Sequence, residues 1–342
     1  MPCRSAIAVL LASLLPIYVS YAQQPCPPVS TEQVIGDVVV SGASVNDGYG
    51  GWTTCGIGGQ VYRHPGGGQL RGIQRVSPDG STLLFSVPGS AWSAAIAPTA
   101  MGLNNLARTF SPTDGPSYEM YHFDNQAHLL SHRRVHIRFA ADRMAVTSSG
   151  KTVVLGHSQD DSSRIDDWKY VGAILDGDDQ LIRGFHFPLP PGGGGWTLAS
   201  EMLGGNDVAY VMLKSETTPS GVLTAIAAIS GSGNDVVDIK IVSAPADDNE
   251  RHHDLWLFGP GVAVDAYHNP SERPHPVNRF DEYDVVTGNR FTTKTAPGTG
   301  FQPGCYLGSE FSMLAHSAHV DPARRLSPDT LRLVTSKLKR LD

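Results

Sequence analysis

Short apolar runs separated by tight-turn residues recur along this chain at nearly constant spacing, and that recurrence most constrains the fold. Residues 75–86 read "RVSPDGSTLLFS". Pro pre-sets φ, Asp caps its own backbone, and Gly accepts the positive φ that other residues resist. The flanks, "GIQRV" and "STLLFSV", carry the alternating or continuous apolar character of strands. The same strand–turn–strand pattern returns at 144–158, 199–215, 254–268 and 324–336, with Thr330 where Gly is expected in the last. A second kind of hairpin has turns near residues 125, 177, 233 and 287, in steps of about 52, 56 and 54 residues.

Each unit holds four strands and no helical periodicity. One such sheet cannot cover both of its faces, whereas sheets repeated around an axis cover one another and expose few edges. The sequence therefore predicts an all-β chain: a β-propeller of about six four-stranded antiparallel blades, within a range of five to seven. The strands at 33–42, 58–73, 305–319 and 327–341 complete the ring from both ends. A pair of β-sandwiches would give no regular period. The "PPGGGGW" run at 190–196 falls inside the period and reads as an inter-blade loop.

The turn Ser77-Pro78-Asp79-Gly80, with partial copies at Thr147-Ser148-Ser149-Gly150 and Ser327-Pro328-Asp329, resembles that of the bacterial exported propeller repeats, TolB-like and WD40-like. The resemblance spans roughly residues 60 to 340. It implies a blade type and, by analogy alone, an envelope or scaffold role.

The first 22 residues carry one basic residue, Arg4, an apolar stretch interrupted by Pro16, and small residues up to Ala22. That pattern predicts a secretory signal cleaved after Ala22, an extension over 23–32 and a propeller over 33–342, placed in the periplasm or outside the cell with no stable membrane insertion. The formal charge is −7 and loses only Arg4 on cleavage. No Lys/Arg cluster tracks a nucleic-acid backbone, which excludes that partner class. Export makes a disulfide chemically reasonable. Of Cys26, Cys55 and Cys305, either Cys26–Cys55 or Cys55–Cys305 can pair, or all three can stay as buried thiols.

Candidate chemistry is sparse. "TVVLGHSQDD" places Ser158 after a strand, as a hydrolase elbow would, but Asp160 stands where a second Gly is required and a loop follows. His122, His128, His132 and His136 are close in sequence without an acid at ligand spacing. "LDGDDQL" lacks a calcium loop's ligand pattern, and Asp176-Gly177 reads as a hairpin turn. "NERHHDLWLF" maps to the first, innermost strand of its blade. His252, His253 and Asp254 there, with Glu201 and Glu310 from other blades, form the candidate channel-face set. The expected role is binding or scaffolding, with a protein or small molecule held on that face and no required cofactor. The alternative is a hydrolase or lyase using a cation in the channel.

Overall fold

The computed structural model describes residues 32–39, 52–55, 61–64, 72–76, 82–87, 92–111, 115–158, 170–190, 195–200, 202–218, 221–232, 237–243, 252–258, 262–268, 277–297, 301–307, 310–316 and 330–336. They form six antiparallel sheets. After β1 (Glu32–Val39) come β2 (Trp52–Cys55), β3 (Val61–His64), β4 (Gly72–Val76) and β5 (Thr82–Ser86), which make blade 1. Blade 2 is β6 (Trp92–Thr99), β7 (Gly102–Ser111), β8 (Gly115–Asp124) and β9 (Leu129–Val135). Blade 3 is β10 (Ala140–Val146), β11 (Thr152–His157), β12 (Tyr170–Leu175) and β13 (Leu181–His186). In blade 4 the first strand is split into β14 (Trp196–Leu198) and β15 (Leu203–Gly204), both pairing with β16 (Val208–Thr218), followed by β17 (Gly221–Ser230) and β18 (Val237–Ser243). Blade 5 is β19 (His252–Phe258), β20 (Val262–His268), β21 (Val277–Asp284) and β22 (Arg290–Pro297). Blade 6 is β23 (Phe301–Leu307), β24 (Glu310–His316) and β25 (Thr330–Ser336), and β1 supplies its fourth strand.

Inner strands meet across successive blades: first strands β6 with β10, β10 with β15, β19 with β23 and β23 with β2, and the second strand β16 of blade 4 with β19. β4 meets β6. Every blade thus has two neighbours and the circle closes. The fold is a six-bladed β-propeller whose first strands lie toward the axis. The last blade is completed by the antiparallel β1–β25 pair, from Glu32 opposite Ser336 to Val39 opposite Thr330.

Apolar packing sits between blades. Along β11, Val153 and Leu155 pack toward blade 4 with Val211, Leu213 and Trp196, whereas Val154 packs toward blade 2 with Met120 and Met144. A strand covered on both faces needs a continuous apolar run rather than alternation, and "TVVLG" is such a run. Blades 1 and 2 join through Tyr62, Ile73, Phe85, Leu103 and Phe123.

The turn series needs one correction. Ser77–Gly80 joins β4 to β5, the third and fourth strands of blade 1, whose ladder runs from Gly72 opposite Ser86 to Val76 opposite Thr82. Thr147–Gly150 instead joins the first two strands of blade 3, and Ser327–Asp329 precedes the third strand of blade 6. Turn chemistry specifies a hairpin, not which pair of a blade it connects. Ser77–Gly80 belongs with the second series, since the turns near 125, 177, 233 and 287 all join third and fourth strands.

Two members of that series share one build. Asp124 Oδ1 accepts the N–H of Gln126 and His128, and Asp176 Oδ1 accepts those of Asp178 and Gln180. Each closes with a residue at positive φ, Ala127 at 65° and Asp179 at 62°. Asp284 caps a one-residue-longer version through Val286 and Thr287, with Gly288 at 73°.

Cys55 and Cys305 lie on β2 and β23, neighbouring first strands across the closing seam. Their side chains, and all of Cys26, fall outside the described residues. A peptide map of unreduced protein is expected to contain a Cys55–Cys305 linked pair. A Cys26–Cys55 pair in its place would assign the alternative connectivity.

Candidate functional site

The inner strands carry polar groups. On β10, Asp142 Oδ2 sits 2.8 Å from His157 Nδ1, and Arg143 Nε donates to the Ser200 carbonyl of blade 4 at 3.2 Å. The split between β14 and β15 falls where Ser200 Oγ accepts the Met212 N–H at 2.9 Å. A hydroxyl there replaces a ladder acceptor, and the strand breaks around it. Glu201 follows immediately and lies outside the described residues. His252, His253 and Asp254 open β19, the first strand of blade 5, opposite His268, Tyr267 and Ala266. Glu310 opens β24, the second strand of blade 6, rather than a first strand. Of the candidate set, therefore, the backbone brings His252–Asp254 to an axial strand and places Glu310 one strand farther out. Sequence reasoning overlooked Asp142, Arg143 and His157, whose signal is the charged pair inside "AADRM".

The four clustered histidines serve separate ends. His122 Nε2 lies 2.8 Å from Asp179 Oδ2, and its Nδ1 lies 2.9 Å from Asn104 Oδ1. His128 pairs with Asp124 within its own turn. His132 stacks on Tyr121 with ring centroids 5.5 Å apart. His136 lies beyond β9. Among the described residues no group of three His, Cys, Asp or Glu side chains has metal-binding geometry.

A polar clasp joins blades 3 and 4. Asp207, at φ 62°, accepts from Ser232 Oγ, Lys151 Nζ at 2.9 Å and Ser149 Oγ at 2.7 Å. Those bonds, Ser232's first, hold the Asp207 carboxyl down at about 2. A carboxyl depressed in the folded state stabilises fully above its ordinary range and loses that contribution as pH falls through the folded value. Acid titration is expected to weaken the protein between about pH 4 and pH 2, and Asp207→Asn to flatten that limb. An unchanged limb, followed by tyrosine fluorescence, would remove the clasp's role.

The described cavity lies off the axis. It measures ≈ 540 Å³ and opens between the 136–139 crossover, which links β9 to β10, and the outer half of blade 3. Its origin is in the register. Ala173 on β12 stands opposite Gly184 on β13. Neither fills the space between the sheet and the crossover. A Cβ built on Gly184 would meet only the Gly172 carbonyl oxygen, at 3.9 Å. Ile137 and Phe139 turn into the blade 2–3 core beside Ala173 and Val171. Leu181 and Phe185 add apolar lining, while Arg138, His136, His186 and Ser158 are its polar members. No carboxylate belongs to the lining among the described residues. Ser158 therefore borders a cavity rather than topping an elbow. Gly156, two residues before it, serves backbone contact: a Cβ there would sit 1.8 Å from the Ala140 carbonyl oxygen.

No protein-family model and no curated protein matches this chain. Among solved structures it is similar to a luciferin-regenerating enzyme at TM-score 0.49 and 10% identity, covering 90% of this chain and 95% of that one. A protein of unknown function from Bacteroides caccae aligns at TM-score 0.37 and 8% identity, covering 80% and 88%. The parainfluenza virus 5 hemagglutinin-neuraminidase ectodomain aligns at 0.47 and 10%, covering 83% and 79%.

Proposed function

We propose that this chain is an exported, non-catalytic propeller that binds a small molecule in the cleft between the 136–139 crossover and the outer half of blade 3. The observation that carries this reading is the hollow of ≈ 540 Å³ left by the Ala173–Gly184 pair. That volume falls in the range of small-molecule sites, roughly 300–1,000 Å³, and an apolar floor with a few convergent polar groups is their usual composition. Among the described residues the lining offers one hydroxyl, Ser158, and two imidazoles, His136 and His186, and no carboxylate to orient a histidine as a general base. Binding fits that inventory better than acyl transfer. Export rests on the leader up to Ala22 and the resemblance to periplasmic propeller repeats.

The test uses Nile red, a neutral apolar dye, titrated into the full chain. One saturable, blue-shifted site is expected. Gly184→Leu should abolish it without changing the melting temperature, because its Cβ has open space. Absence of a saturable site, or a site indifferent to Gly184→Leu, would overturn the reading.

A further inference from the structure

We propose that the cleft selects amphipathic carboxylates: molecules with an apolar body and one anionic head. This rests on the cleft being a binding site and goes beyond it to the class of ligand. The lining divides in two. Val171, Ala173 and Leu181 offer only hydrocarbon surface along β12 and β13. Arg138, His136 and His186 stand at the same cavity and are exposed.

The alternation of the crossover explains that division. Ile137 and Phe139 are each 8% exposed and anchored in the blade 2–3 core, so Arg138 between them is held on the open side by two buried neighbours. Its nearest charged neighbours along the chain are Arg134 and Asp142, and Asp142 is engaged with His157 at 2.8 Å. No hydrogen bond or ion pair joins Arg138 to another described residue. A guanidinium beside an apolar hollow, with no acid among the described lining residues, fits a ligand of negative charge. A carboxylate accepts its paired N–H groups in a bidentate fork, which no neutral head group matches. His186, opposite Val171 on the cavity face of the sheet, adds a second donor. Ser158 supplies a hydroxyl that either donates or accepts.

Chain length follows from the cavity. A straight or singly ringed body of moderate size fits ≈ 540 Å³, and the opening lets a longer tail emerge along exposed Leu181 and Ile182 of β13, which are 48% and 52% exposed.

Calorimetric titration of the full chain with decanoate, decanol and decyltrimethylammonium tests this directly. Decanoate should bind about tenfold tighter than decanol, and the cation should not bind measurably. Arg138→Gln should erase the preference for decanoate while leaving decanol binding and the melting temperature unchanged. Equal affinity for decanoate and decanol in the parent protein would overturn the carboxylate selection, yet leave the cleft itself standing if Gly184→Leu still removes both. Preference for the cation would overturn the proposal. Binding of decanoate untouched by Gly184→Leu would place the site elsewhere and overturn both this inference and the reading on which it rests.

Discussion

Gly156→Ala is expected to cost on the order of 3–5 kcal/mol, at the severe end for a single methyl group. Gly156 stands opposite Ala141, at the point where β10 shifts register before Arg143. A Cβ would lie 1.8 Å from the Ala140 oxygen, 2.7 Å from its carbonyl carbon and 2.9 Å from the Ala141 Cα. All three are backbone atoms, so no rotamer change relieves the clash, and the β10–β11 ladder must separate. The same region is tied to blade 2 by Tyr118, whose hydroxyl accepts the Ala141 N–H at 3.1 Å. Separation would therefore also disturb a buried contact between blades. In a chain of this size the change corresponds to a melting point lower by roughly 5–10 °C. Gly184→Ala is the matched control, with open space above its Cβ, and should stay within about 0.5 kcal/mol. A Gly156→Ala protein that melts with the control would show that β10 does not approach β11 as described.

Asp179→Ala is expected to cost about 2–3 kcal/mol, and its neighbour Asp178→Ala about 0.5 kcal/mol or less. Both acids reach from the blade 3 hairpin to blade 2. Asp178 meets Arg133 at 2.6 Å, but the two side chains are 77% and 44% exposed. Water screens that pair, and holding a long side chain in place offsets most of its attraction. Asp179 is 2% exposed and meets His122, which is 22% exposed, at 2.8 Å. Both ring nitrogens of His122 face side-chain oxygens, Asp179 Oδ2 and Asn104 Oδ1. Removing Asp179 leaves one nitrogen facing a gap. It also puts Ala at φ 62°, where Asp is better tolerated because its short polar side chain bonds locally. Equal costs for the two substitutions, by chemical denaturation, would refute the distinction between buried and screened pairs.

The ring itself was legible in the sequence because its determinants are local. Asp124, Asp176 and Asp284 each precede a turn and cap it, so their hairpins announce themselves by residue type and recur at the blade spacing. The continuous apolar stretch at 152–156 likewise signals a strand covered on both sides. Phase within the blade was not legible. Ser77–Gly80 and Thr147–Gly150 use similar turn residues but join different strand pairs, and only pairing across the sheet tells them apart. The cleft was hidden for a related reason. Ala173 and Gly184 lie eleven positions apart and become neighbours only through the β12–β13 register, where a shift between Ile174 and Leu175 sets their pairing. Gly156 was visible, but its near-motif with Ser158 pointed to chemistry when the physical requirement is close passage of β10.

Closing the seam at blade 6 brings together strands from opposite ends of the described chain. β1 emerges before the other described strands, yet its strand partner among the described residues is β25, near the other end of the chain. Until that partner arrives, an eight-residue edge carries unpaired N–H and C=O groups, open to capture by another molecule. Pairings this distant form slowly, since the loop must close before any contact rewards it. Blades 2 to 4 can assemble from neighbours in sequence while the ends still search. Refolding at high concentration should accordingly yield dimers in which two copies exchange that strand.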